Sequence, residues 1–193
     1  MIMEIIQQTN FLDIVIIILV IRICYIAAKG GLAVEIFKLL GALFATYISM
    51  HFYTGLADNI KKGFFPKGMP IEFADFLVFI VLALLVYLCF VAIRSALYRF
   101  IKLEAVPEIN KFGGIVLGLL RSFLAVGLLV YILSISTIDY LTTSAKHSYL
   151  GSRAFMVAPN TYGWLWNSIF SKFSPKENYN STVTEVIERF NRK

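Results

Sequence analysis

Long apolar runs make up most of residues 11–136, and only a few polar residues interrupt them. An α-helix needs about 20 mostly apolar residues to cross the hydrocarbon of a bilayer, whereas strands of a membrane barrel alternate in segments of about ten residues. The runs in this chain are continuous and fit helices. The pattern therefore predicts an all-α integral membrane protein with four transmembrane helices, at about residues 11–28, 32–53, 76–93 and 112–136.

The polar breaks between the runs indicate how the helices connect. Only Lys29, Gly30 and Gly31 stand at the break between the first run and the second, so we expect these two helices to form a tight antiparallel hairpin. The composition becomes more polar after the fourth run. This change divides the chain into a transmembrane domain, residues 1–138, and a polar and amphipathic C-terminal tail, residues 139–193.

Within the tail, residues 160–173 place large apolar side chains mostly on one side of a helix that is too short to cross a membrane. Two interpretations of this segment remain open. The helix lies at the headgroup boundary of the bilayer, or it packs against loops of its own domain. The first interpretation predicts an interfacial surface that includes Trp164, Trp166 and Phe170.

The composition agrees with a protein surrounded by lipid. Hydrophobic residues make up 59% of the chain, charged residues only 16%, and the mean hydropathy is +0.76. A soluble domain would need a larger polar surface, because exposed apolar area drives association. The net charge of +6 could suggest nucleic acid, but the basic residues are spread between the apolar runs and form no single patch. We expect the lipid bilayer to be a partner of this chain and nucleic acid not to be one.

Four charged residues interrupt the runs on the same side of the predicted membrane. Measured from the hairpin turn, Glu35 lies about 7 Å, Lys38 about 11 Å and Arg22 about 13 Å deep at 1.5 Å per residue. The fourth helix enters from that side near residue 112, which places Arg121 about 13 Å deep. A charge at the centre of a bilayer costs about 2.5 to 3.5 kcal/mol on insertion scales, so such residues usually face a bundle interior or a wet cavity.

We predict an interhelical polar cluster of Arg22, Glu35 and Arg121, because an extended arginine side chain can span the axial offset from Glu35 within the hairpin. Lys38 belongs to the same charged layer, and we expect it to extend its stem towards the headgroups. Two roles remain open for the cluster. It holds the helices together, or it lines a transport path or a partner site.

Small residues recur at every fourth position of two predicted helices. In a bilayer such residues let helix backbones approach closely, since lipid gives apolar helices no hydrophobic reason to associate. Helices 2 and 4 are therefore expected to form the packing core, or a dimer face, through Gly41, Ala45, Ser49, Gly114, Gly118 and Ser122.

The orientation depends on which side carries more lysine and arginine, because cytoplasmic loops are enriched in these residues. The connections alone are balanced. Adding Arg22, Lys38 and Arg121 favours a cytoplasmic location for the connections between helices 1 and 2 and between helices 3 and 4. Both termini are then expected outside the cytoplasm.

Several short motifs follow one another along the chain: Leu12-Asp13 opens the first helix, Lys29-Gly30-Gly31 precedes Glu35 and Gly41, and GGIVLGLLRSFL surrounds Arg121. In this order and spacing they resemble the colicin V production protein (CvpA) family over about residues 10–170. The resemblance implies a bacterial inner-membrane protein associated with colicin V (toxin) production and export and with envelope upkeep. The first turn departs from that family, because leucine stands where an aromatic residue commonly follows the glycine.

The sequence groups no residues in a way that suits catalysis. His51 and His147 are the only histidines, and the motifs of a serine nucleophile, a zinc protease and a phosphate-binding loop are missing. Cys24 and Cys89 lie in different runs without the spacing of a metal site. We therefore expect no enzymatic activity, no cofactor and no metal.

Two classes of function remain. The preferred one is a membrane accessory factor that binds membrane-protein partners, or further copies of itself, through the tail and the small-residue faces. The alternative is a small oligomeric transporter or channel that uses the charged layer. The chain lacks the paired interrupted spans that are typical of inverted-repeat transporters.

Overall fold

The computed structural model describes residues 10–63, 70–100, 107–174 and 177–192, and the elements in these ranges are all helical. The first helical run, Phe11–Gly63, is interrupted at Gly31. We number its two arms separately. The four long helices are α1 (11–30), α2 (32–63), α3 (Ile71–Phe100) and α4 (Pro107–Ile135).

Three helical runs are long and apolar enough to cross a membrane, namely Phe11–Lys61, Ile71–Ala96 and Glu108–Ile135, and the first of them contains both arms of the hairpin. The predicted all-α class with long apolar helices is thus confirmed. The helices extend beyond the predicted spans; α2, for example, continues from the predicted end at residue 53 to Gly63. Adding a residue to an existing helix costs little, so a helix need not end where its apolar run ends.

The chain reverses direction between α1 and α2 at a single residue. Gly31 has φ 77° and ψ 170°, a conformation that glycine adopts readily and other residues rarely do. Asn110 of α4 braces the turn, since its Oδ1 accepts a hydrogen bond of 2.7 Å from the backbone N–H of Leu32. A Cβ at Gly31 would lie 2.5 Å from the same Asn110 side chain. The turn therefore requires glycine both for its conformation and for space, and Gly30 remains helical.

The tail folds into short helices at the end of the bundle remote from Gly31. They are α5 (Asp139–His147), α6 (Tyr149–Ala154), α7 (Val157–Leu165) and α8 (Ser181–Asn191). Helix α7 continues through a π-helical turn, Trp166–Phe170, into one more helical turn, Ser171–Phe173.

One hydrophobic core joins the bundle to the tail. Its buried members include Phe79 of α3 and Tyr131 of α4, together with Phe155 and Val183 of the tail. The ring of Tyr131 packs between Phe79 and Phe155, at centroid distances of 5.3 and 6.1 Å. Residues on both sides of position 138 therefore contribute to the same core.

Candidate functional site

A buried acidic side chain lies at the centre of the polar cluster. Glu35 of α2 is 0% exposed and accepts hydrogen bonds through both carboxylate oxygens. Arg121 of α4 donates from Nε to Oε2 at 2.9 Å, and Lys38 donates from Nζ to Oε1 at 2.5 Å. Lys38 is three residues further along α2, whereas Arg121 is 86 residues away. The ion pair between Arg121 and Glu35 therefore links α4 directly to α2.

The guanidinium of Arg121 also reaches the third long helix. Its Nη1 donates to the hydroxyl of Tyr87 at 3.4 Å, which is a long and weak hydrogen bond. Its Nη2 is buried without a hydrogen-bond partner among the described residues. Two cations share one carboxylate, so Lys38, Glu35 and Arg121 together carry one excess positive charge. A buried charge is costly when it is incompletely paired, and this cluster could therefore accept a further anionic group.

Two residues of the predicted charged layer are placed differently from the expectation. Arg22 is exposed and takes no part in the two ion pairs around Glu35. Helix α1 buries Ile23 and Ala27, and a step of one residue turns Arg22 by about 100° from the buried face. Lys38 binds Glu35, which lies one helical turn closer to Gly31, so its ammonium group belongs to the cluster itself.

The glycines of the small-residue faces make close helix contacts, but these contacts join other pairs of helices. A Cβ on Gly118 of α4 would overlap the side chain of Ala27 in α1, and a Cβ on Gly114 would lie 2.8 Å from the Ala27 carbonyl oxygen. On α2, a Cβ at Gly41 would lie 2.9 Å from Phe90 of α3. Thus α4 packs closely on α1, and α2 on α3. The other members of the two faces are also buried: Ala45, Ser49 and Ser122.

The tail segment around α7 lies along α2 and buries part of the predicted interfacial surface. Trp166 is buried and stacks on His51, and Phe170 stacks on Tyr47 with ring centroids 3.7 Å apart. Trp164 is 59% exposed, since residues two apart on a helix face nearly opposite sides. Trp166 and Phe170 thus pack against the bundle and do not form an outward-facing apolar surface. Of the three predicted residues, Trp164 remains available to lipid or to a partner.

Hydrogen bonds fasten the tail to α2 at the same place. The Tyr162 hydroxyl accepts a hydrogen bond of 3.0 Å from the backbone N–H of Asn180 and lies 2.9 Å from His51 Nδ1. The other ring nitrogen of His51 lies 3.2 Å from the Glu177 carboxylate. In the tautomer with its proton on Nε2, His51 donates to Glu177 and its Nδ1 accepts from the Tyr162 hydroxyl. Burial raises the pKa of Tyr162 above its usual range, so the hydroxyl keeps the proton that this arrangement needs.

Asp13, at the start of α1, has a role that the apolar pattern did not indicate. Its carboxylate accepts hydrogen bonds of 2.7 Å from the Ser148 hydroxyl and from the Leu150 backbone N–H, and one of 2.8 Å from the Asn10 backbone N–H. The acid thus satisfies a backbone donor at the start of α6, where helices leave N–H groups unpaired. The sequence does contain a signal for this role, because an acid at the start of an apolar run requires a polar partner.

Replacing Asp13 with alanine should loosen the tail from the bundle. The donors at the start of α6 would be buried without an acceptor, at a cost of about 1–3 kcal/mol. We expect faster limited proteolysis within the tail of the full-length protein in detergent micelles. Asp139→Ala, which removes an exposed acid of α5, is the matched control and should leave the rate unchanged. Equal cleavage rates for the two variants would show that Asp13 does not hold the tail.

The acidic residues of the described ranges are not grouped as metal ligands. No three His, Cys, Asp or Glu side chains within those ranges are placed to hold a metal ion. Glu35 and Asp13 use their oxygens to bind donors of the protein itself. The polar clusters are therefore suited to joining helices.

A family match spans both the bundle and the tail. The family model described as Colicin V production protein matches residues 12–175, which include the hairpin, the Glu35 cluster and α7. No curated protein and no solved structure matches the chain with significant similarity. Because the family match covers most of the sequence, the chain belongs to the colicin V production protein family.

Proposed function

We propose that this chain is a multi-pass accessory protein of a bacterial inner membrane and that it acts by binding protein partners. It takes part in colicin V production and export and in envelope upkeep. Its four spans are residues 11–28, 32–53, 76–93 and 112–136. The Gly31 turn faces the cytoplasm, and the tail, residues 139–193, lies at the extracytoplasmic end.

The complete burial and pairing of Glu35 within the charged cluster is the observation that carries this proposal. Glu35 is completely buried, and both of its carboxylate oxygens are occupied by cations of the chain. Towards the tail the bundle is filled by Tyr53, Phe79 and Tyr131, each of which is at most 1% exposed. A transport path needs polar groups along a hydrated passage, whereas charges that join helices can be dry. These features support a structural role for the charges and a binding role for the molecule.

The outward side of the segment around α7 is the surface on which we expect a partner. Trp164 is 59% exposed and Phe173 is 80% exposed, although the same segment packs closely on α2. Exposed aromatic residues on a rigid support are typical anchors of protein interfaces. A partner that meets the protein at its extracytoplasmic end would contact these side chains first.

A photo-crosslinking amino acid in place of Trp164 should give discrete protein adducts in native membranes. The tagged full-length chain is detected by immunoblot after irradiation, and the captured proteins are then identified. The matched control carries the same amino acid in place of Val81, which is exposed on α3 and surrounded by lipid in the proposed arrangement. The same adducts at both positions, or no protein adduct at position 164, would contradict partner binding through this surface.

A small oligomeric transporter or channel is the alternative class of function. The buried Nη2 of Arg121, which has no partner among the described residues, is the observation that favours it. In that case the charged layer would be needed for solute flux and not for folding. Replacement of Arg121 separates the two roles.

A further inference from the structure

A groove with a charged end opens between the long helices. It has a volume of 540 Å³, and all four long helices contribute to its lining. Arg121 and Tyr87 supply its polar groups, and the remaining lining residues are apolar. Four of these are alanines, whose small side chains leave space between the helices: Ala42, Ala45, Ala83 and Ala125.

The groove follows the helices from the charged cluster towards the tail. On α4 its lining extends from Arg121 to Ile132, which corresponds to about 16 Å at the helical rise of 1.5 Å per residue. On α1 it includes Val15, Leu19 and Ile23, which lie on one side of the helix. A long apolar groove with a cation at one end has the shape and the polarity of an extended acyl chain with an anionic head.

Other cations lie at the same level of the bundle as Arg121. Arg94 of α3 and Lys38 of α2 line one small cleft next to the cluster. Arg22 of α1 is exposed at about the same distance from the hairpin turn. Residues 76–93 of α3 carry no charge, so Arg94 marks the end of a fully apolar zone. In the four-span arrangement this layer of cations lies in the cytoplasmic half of the bundle, so a lipid of the cytoplasmic leaflet would meet it first.

We infer that the groove binds one anionic phospholipid, with its phosphate at the cation layer beside Arg121 and one acyl chain along the groove. A phosphate accepts strong charge-assisted hydrogen bonds from a guanidinium group, and it would balance the excess positive charge of the cluster. The volume of 540 Å³ lies in the range of pockets for small molecules. The inference goes beyond the proposed partner binding and does not depend on it.

Native mass spectrometry of the full-length protein tests this site. The protein, in detergent micelles, is supplied with equal amounts of phosphatidylglycerol and phosphatidylcholine that have identical acyl chains. We expect one phosphatidylglycerol to be retained about tenfold more often than phosphatidylcholine, because both lipids carry a phosphate but the choline cation of the second leaves the excess positive charge of the cluster unbalanced. Equal retention of the two lipids would overturn the inference.

Two substitutions by phenylalanine locate the lipid without changing any charge. Ala125→Phe fills the groove and should abolish the preference for phosphatidylglycerol. Ala92→Phe adds the same side chain at an exposed position of α3 that does not line the groove, and it should keep the preference. If the two variants show the same preference for phosphatidylglycerol, the lipid binds elsewhere. Arg121→Gln should also lose the preference, but it removes a partner of Glu35 and can prevent folding, so the Ala125 variant decides.

The alternative occupant of the groove is a transmembrane helix of another protein. A photo-crosslinking amino acid in place of Leu84, an exposed residue of the groove wall, distinguishes the two occupants in native membranes. An increase in mass by one phospholipid is expected. A covalent adduct with a protein at this position would overturn the lipid assignment.

Discussion

Replacing Arg121 with leucine should destabilise the folded bundle by about 3–5 kcal/mol, the usual cost of removing one partner of a buried ion pair. The change leaves the buried carboxylate of Glu35 with Lys38 alone, and Oε2 loses the donor that links α2 to α4. We expect a lower temperature of thermal unfolding in micelles. Quantitative immunoblots should also show several-fold less protein in the membrane.

Arg22→Leu is the matched control for this experiment. Arg22 carries the same charge at about the same distance from the hairpin turn, but it is exposed on the outer side of α1. Its replacement should change the free energy of unfolding by no more than about 0.5 kcal/mol. If Arg121→Leu instead accumulates normally and abolishes a solute flux that the wild-type protein supports, the charged layer is a transport path and the accessory-factor proposal fails.

Replacing Gly118 with alanine should push α1 away from α4 and cost about 1–3 kcal/mol, as overpacking of a close contact does. The added Cβ would overlap the Cβ of Ala27. Each Cβ is attached directly to a helix backbone, so neither can move away without a shift of its helix. The effect is measured as a lower unfolding temperature of the purified protein. Adding Ala27→Gly to the variant removes the overlapping group and should restore most of the loss.

Gly55→Ala serves as the matched control, because no heavy atom lies within 4 Å of the added Cβ. Both glycines are helical, so alanine should improve the intrinsic helix propensity equally, by up to about 1 kcal/mol. The stability of the Gly55 variant should therefore be unchanged or raised. A loss of similar size in both variants, or no rescue by Ala27→Gly, would rule out close packing at Gly118 as the cause.

The helices and their reversal could be predicted because they depend on local properties of the chain. The length of an apolar run indicates a long helix, and a glycine pair at a short break indicates a tight turn. The meeting of Glu35 and Arg121 was also predictable, since position along a helix fixes depth and both residues fall in the same layer. Depth does not determine towards which side of the helix a side chain points. Arg22 lies at a suitable depth but is exposed on the outer side of α1.

The packing of the tail was not predictable for a different reason. Asp13 binds Leu150, which is 137 residues away in sequence, and His51 lies against Tyr162 across 111 residues. Composition and periodicity describe each of these segments separately and do not specify its partner. An amphipathic helix has the same pattern whether its apolar side covers lipid or another helix. The aromatic residues of the α7 segment therefore allowed two interpretations. In the structure Trp166 and Phe170 pack against the bundle, whereas Trp164 is exposed on the surface.

The ion pair between Glu35 and Arg121 also affects the order of events during synthesis. At 5–20 residues per second, Arg121 leaves the ribosome roughly 4 to 17 s after Glu35, since the two are 86 residues apart. During this interval the hairpin of α1 and α2 contains an acid whose guanidinium partner has not yet been made. Lys38 can already pair with Oε1, but water or lipid headgroups must solvate Oε2 in the meantime, so we expect the hairpin to reach its final depth in the bilayer only when α4 inserts.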